Sequence, residues 1–135
     1  MFLHYFTLQQ ANELLPVVRE ELAHLQYLNR ECEMKHRQRR MLNNVDQIVH
    51  GDYQHVFELE AAHDFLHIQI CSYVKQLKKQ HIYIKDIEKG VVEFPGKLGD
   101  EYVLLCWKQG EEFVTHYHRL DETFYHRKRI FRTEE

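Results

Sequence analysis

Residues 101–120, EYVLLCWKQGEEFVTHYHRL, decide how the C-terminal half of this chain folds. Two runs rich in branched and aromatic residues flank Gln109-Gly110, a dipeptide of turn character. They read as two antiparallel strands of a small sheet. A two-residue loop there sets Lys108 against Glu111 and Cys106 against Phe113. Side chains alternate, so Cys106 shares a face with Phe113, Thr115 and Tyr117. His116 and His118 then share the other face with Val103, Leu105 and Trp107. In that register the cysteine and the histidines do not converge on a metal ion. Only a bulge or a connection of odd length reverses the parity.

Working outward, HIYIKDIEKG (81–90) alternates Ile82 and Ile84 before a turn at Gly90, VVEFP (91–95) is a short strand ended by Pro95, and GKLGD is a turn. The tail DETFYHRKRIFRTEE (121–135) reads as a turn plus a short closing segment. Residues 81–135 are thus expected to form a small antiparallel β-meander and tail.

The first eighty residues follow a different period. Thr7 and Gln10 form a Thr-x-x-Gln capping box. Ala11, Leu15, Val18, Leu22, Leu25 and Cys32 then recur in steps of four and three, with Asn29 as the one polar step, and Leu14 and Leu28 widen the seam. This helix runs to about residue 40, with a bend expected at Pro16, which lacks a backbone donor. LNNVDQIVHGD (42–52) is a connection. A second helix spans about Tyr53 to Lys79, its seam formed by Leu59, Ala62, Leu66, Ile70, Tyr73 and Leu77, with Phe65, Ile68 and Val74 beside it. The expected fold is α+β: a long antiparallel helical hairpin over about 7–80, then the meander, in a single domain over 1–135.

A helix of roughly 30 residues is roughly 45 Å long. A three-stranded sheet with strands of about six residues is about 20 Å across. Such a sheet cannot cover both seams along their length, so a homodimer is expected, with a protein partner as an alternative occupant.

The formal charge of −3 exerts no overall pull toward nucleic acid or membrane. No apolar run approaches the roughly 18 residues of a bilayer span, and MFLHYFTLQQ is not a secretory signal. A cytoplasmic protein is expected. Cys32, Cys71 and Cys106 are odd in number and widely spaced, as in free thiols of a reducing compartment.

Chemical motifs are few. Glu60, His63 and His67 stand on one face of the second helix and are the candidate metal ligands. Beside the seam and next to Asp64, they also suit a solvated histidine-rich face in a chain with 11 histidines. Ser72 is the only serine and sits in no nucleophile elbow, and no glycine-rich loop cradles phosphate. The basic clusters KHRQRR (35–40) and HRKRIFR (126–132) read as solvated faces, so nucleic acid is not an expected partner. No cofactor is implied.

With these residues laid out, YFTLQQANELLPVVREEL, VFELEAAHDFL and IKDIEKGVVEFPGKLGDEYVLLCWKQGEE resemble the bacterial domain-of-unknown-function family numbered 2203. The likeness covers nearly the whole chain. It is most specific at Phe6-Thr7, Leu14-Leu15-Pro16, Lys85-Asp86, Phe94-Pro95, and Leu105-Cys106-Trp107 followed by Gly110-Glu111. The family pattern follows the Cys-Trp strand with an aromatic residue, a Trp-His pair and a Gly-Phe-x-Gly-Arg tail. Tyr117-His118 match the pair, Phe124 and Arg127 match the tail, and Thr123 and His126 occupy the glycine places. His116 stands where an apolar aromatic is usual, which supports a packed core histidine. The resemblance implies a small cytoplasmic protein and carries no catalytic assignment. The candidate ligand site in these segments is a corner of Asp86, Trp107, His118 and Arg127, set against the plainer and preferred reading in which Trp107 anchors the core and Asp86 pairs with Arg127 to close the domain.

Overall fold

A computed structural model describes residues 2–42 and 53–131. It comprises α1 (Leu8–Met41), α2 (Tyr53–Lys79), β1 (Tyr83–Asp86), β2 (Val91–Leu98), β3 (Glu101–Lys108), β4 (His116–Arg119), a 3-10 turn at Phe124–His126, and β5 (Lys128–Arg129). The fold is α+β, a helical hairpin followed by an antiparallel sheet in the order β1-β2-β3-β4-β5. The connection expected at 42–52 lies, from residue 43 on, outside the described residues.

The chain divides into two compact units, Met1–Ala23 with Val74–Glu135, and His24–Tyr73. The first holds the sheet. The second is a pair of helical segments.

The capping box forms as its residue types require. Thr7 N donates to Gln10 Oε1 at 2.9 Å, and Gln10 N donates to Thr7 Oγ1 at 3.1 Å. The expected seam of α1 is buried at every apolar step from Ala11 to Cys32. The helix continues through Pro16. Within the sheet unit, Phe94, Leu105 and Trp107 are on the sheet face that meets α1: the Phe6 and Phe94 rings lie 6.1 Å apart, and the Arg19 guanidinium stands 5.8 Å from the Trp107 ring centre.

Three expectations about the sheet are corrected. The sheet has five strands rather than three. β2 does not end at Pro95 but runs on to Leu98. Phe6 N donates to Pro95 O and Lys97 N donates to Phe6 O, so Pro95 points its backbone at Phe6 and away from β3. Its missing N–H therefore costs no β2–β3 ladder bond.

The third correction is the register of β3 and β4. Cys106 pairs with His116 and Leu104 with His118. The connection between the first of these pairs has odd length, so the expected parity is reversed. Two side chains far away in sequence and one nearby hold it open. Val114 N donates to Asn12 Oδ1 at 2.7 Å, Arg19 Nη2 donates to Glu112 O at 2.6 Å, and the Trp107 indole N–H donates to Glu111 O at 2.9 Å.

Candidate functional site

The register lines up one residue from each strand on the sheet face away from α1: Tyr83, Glu93, Cys106, His116 and Arg129. Neighbours in such a row stand about 5 Å apart, close enough for their side chains to act on one another. His118, two residues beyond His116 on β4, shares the face. Glu93, Cys106 and His118 are almost wholly buried.

Glu93 and His118 form the centre. His118 Nε2 lies 2.7 Å from Glu93 Oε2, and His118 Nδ1 lies 2.8 Å from Arg119 O. A carbonyl only accepts, so Nδ1 carries a hydrogen. The carboxyl and Nε2 therefore share one proton between them. Glu93 Oε1 is left buried with no hydrogen-bond partner, its nearest cation being Lys85 Nζ at 4.0 Å.

Arg127 approaches from the tail. Its Nη2 meets Glu111 Oε2 at 2.8 Å, and its guanidinium lies 4.6 Å from the Phe124 ring centre. Burial opposes the Arg127 charge, but the Glu111 hydrogen bond and ion pair outweigh it and hold the pKa above the usual range. Nη1 is buried with no hydrogen-bond partner of ordinary geometry, although the guanidinium bears on the Cys106 thiol. Burial first, and then the Glu93 charge, push that thiol up to about 12. A thiol so placed is no nucleophile at neutral pH. His116 is shifted down by burial and by Arg127 beside it. Its Nδ1 sits 2.9 Å from Thr115 Oγ1. The fully buried imidazole of this strand is His118, not the His116 expected from the resemblance.

A family model described as an uncharacterized conserved protein (DUF2203) matches residues 4–130. The chain belongs to that family. No curated protein and no solved structure matches it. The segments that carry the family likeness include Cys106, Glu111, His118 and Arg127; Glu93 meets His118 and stands opposite Cys106, and Arg127 joins Glu111 to the Cys106 thiol. Sequence reasoning passed over Glu93. The available signal was a carboxylate inside the apolar run Val91-Val92-Glu93-Phe94, where a charge is retained only if it is partnered.

The candidate corner of Asp86, Trp107, His118 and Arg127 is not assembled. Trp107 and His118 lie on opposite faces, because the odd connection reverses parity. Asp86 closes the β1–β2 turn by accepting from Lys89 N at 2.8 Å. His118 and Arg127 do enter one cluster.

In the helical unit, Glu60 and His63 line a cleft of about 490 Å³ with His36, Arg39, Arg40 and Asp64. Glu60 is held by Arg39 at 2.6 Å. The His63 ring lies 5.6 Å from that of His36 and stacks parallel to His67 at 6.3 Å. Among the described residues, no group of three or more His, Cys, Asp or Glu converges where a metal ion could sit. Nor is any described helix long and apolar enough to cross a membrane.

Proposed function

We propose that this protein is a non-catalytic association module that pairs with a second copy of itself through the outer face of α2. The observation that carries this reading is a second apolar stripe on that helix. At 3.6 residues per turn, Leu59, Ala62, Leu66, Ile70 and Tyr73 share one side, and Phe57, Phe65 and Ile68 share the opposite side. The first set faces α1. Phe57, Phe65 and Ile68 are 64%, 63% and 65% exposed. A contiguous stripe of large apolar side chains left in water ordinarily marks a contact surface. A two-fold pairing of α2 on α2 places apolar residue against apolar residue from one stripe, and it closes without further copies. The outer face of α1 repeats the feature with Tyr27, Met34 and Met41 at seven-residue intervals, all exposed. That surface suits a different protein partner. Light scattering across a dilution series tests the pairing. A mass near twice 16.6 kDa at micromolar concentration supports it, and a constant monomer mass overturns it.

A second reading, binding of a small polar ligand at the sheet cluster, is favoured by the orphaned Glu93 Oε1. A buried acceptor without a donor is costly, and an amine or amide N–H would relieve it. In a thermal-shift screen of small amines and amides, a stabilising compound whose effect is lost in Glu93→Gln supports this reading. No such compound, or an undiminished effect in the variant, contradicts it.

A further inference from the structure

A second cavity, within the sheet unit, has chemistry unlike that of either site above. It is an open cleft of about 600 Å³ lined by Phe2, Leu3, Lys75, Lys78, Lys79, His81 and Tyr83. That volume suits one small molecule. Lys75, Lys78 and Lys79 are related by three and four positions on one helix, so their charges crowd one face. None of them is in an ion pair among the described residues, and no acidic side chain lines the cavity. In a chain of net charge −3 this is a local excess of positive charge without its counter-charge. Cations at a helix C-terminus are ordinarily favourable, which accounts for Lys78 and Lys79 singly. It does not account for three lysines around one concavity.

The rest of the lining includes two aromatic rings. The Phe2 and Tyr83 rings meet edge to face at 5.3 Å, and Phe2 meets Tyr5 at 6.1 Å. Leu3 beside them is 96% exposed. His81 adds an independent sign. It follows α2 in the left-handed region at φ 66°, the only non-glycine described residue with positive φ. Its N–H closes the helix end onto Lys78 O, a position where glycine is ordinarily the least strained choice. Here a strained imidazole is kept instead, lining the cavity and lying 5.3 Å from the His4 ring. Backbone strain of this kind gathers where a side chain is needed for a contact.

We propose that this cavity binds a small aromatic anion. Lys75, Lys78, Lys79 and His81 receive its phosphate, sulfonate or carboxylate, and Phe2 and Tyr83 pack against its ring. The volume and the mixed basic and aromatic lining fit one such molecule better than a nucleic-acid strand, which needs an extended basic track.

The full-length chain is titrated with anilinonaphthalene sulfonate, adenosine monophosphate, inorganic phosphate and a short single-stranded oligonucleotide. The two aromatic anions are expected to bind saturably, at one per chain. Phosphate is expected to bind at least about ten-fold more weakly, for want of the ring contact, since stacking of one base is worth 1–3 kcal/mol. Each Lys→Gln change among the three is expected to weaken the aromatic anions by roughly five-fold, the scale of one charge pair in water. Tyr83→Leu should weaken them while leaving phosphate unchanged. His81→Gly should raise the melting temperature and lower affinity together, a split that a purely structural histidine would not give. Circular dichroism confirms that each variant is folded. The proposal is overturned by failure of both aromatic anions to saturate, by phosphate binding as tightly as they do, by undiminished binding in the triple lysine variant, or by an oligonucleotide that binds when adenosine monophosphate does not.

Discussion

In the sheet unit, β2 and β3 are covered on both faces. α1 lies against Phe94, Leu105 and Trp107, and the opposite face seals Glu93, Cys106 and His118 from water. In the helical unit, each helix is covered on one side only. Leu25, Leu28 and Cys32 of α1 and Leu59 and Ile70 of α2 are buried, whereas Met34, Met41, Phe57, Phe65 and Ile68 stand in water. Both units spend their apolar residues at helical or strand period. The first has a layer on each face of β2 and β3, and its exposed apolar residues, among them Leu3, Tyr102, Phe113 and Tyr125, lie outside those two strand centres. A sheet with cover on both faces completes its own core, while two helices side by side leave an outer stripe on each. The polar residues follow the same division. Those of the sheet face are locked to one another, whereas those of the hairpin cleft are half in water.

The largest expected effect tests the locked side. His118→Ala leaves the Glu93 carboxyl buried beside a void and should cost about 3–5 kcal/mol in urea unfolding, the usual cost of breaking a buried pair. The double change Glu93→Leu with His118→Leu should cost less than His118→Ala alone, because no orphaned charge remains. If the double variant is the worse of the two, the pair contributes more than it costs to bury, and the stated balance is wrong.

Next comes the end of α1. Thr7→Ala removes one half of the capping box and should cost about 1 kcal/mol. No loss would show the box to be dispensable.

A smaller effect is pH-dependent and lies within the sheet unit. The folded Cys106 thiol titrates near 12 rather than at its ordinary 9.0. The unfolded thiol therefore ionises first as pH rises. The stability this group contributes is complete below about pH 9 and is lost progressively toward about pH 12. His116 has the opposite sense. Its folded pKa lies below the ordinary 6.5, so its contribution is present above about that pH and is lost as pH falls. Cys106→Ala should flatten the alkaline limb of a stability–pH curve, and His116→Gln the acidic one. At about pH 8, a thiol reagent should reach exposed Cys71 quickly and Cys32 and Cys106 only on unfolding. Equal rates at all three would break the contrast between a sealed sheet and an open hairpin.

Much of this was legible in the residues themselves. The steps of four and three from Ala11 to Cys32, the Thr7–Gln10 box and the extent of the second helix needed only local rules. What escaped was set by partners distant in sequence. The β3–β4 register depends on Asn12 and Arg19 gripping residues 112 and 114, and no pattern within 101–120 announces that grip. The continuation of β2 through Pro95 depends on Phe6. A connection of even length puts Trp107 with His118 and Cys106 on the other face, and the observed odd connection reverses both. Two members of the buried cluster, His118 and Arg127, were nevertheless singled out, since histidine and arginine draw attention wherever they stand. Glu93 was hidden by its strand, where an isolated charge is easily read as an edge residue.

The contrast between a finished core and an unfinished one rests on the outer face of α2, and sedimentation equilibrium of the wild-type chain beside Phe65→Glu tests it most directly. The wild type is expected at twice the chain mass, and the variant as a monomer with unchanged helix content. A wild type that is already monomeric, or a variant that still pairs, would contradict it.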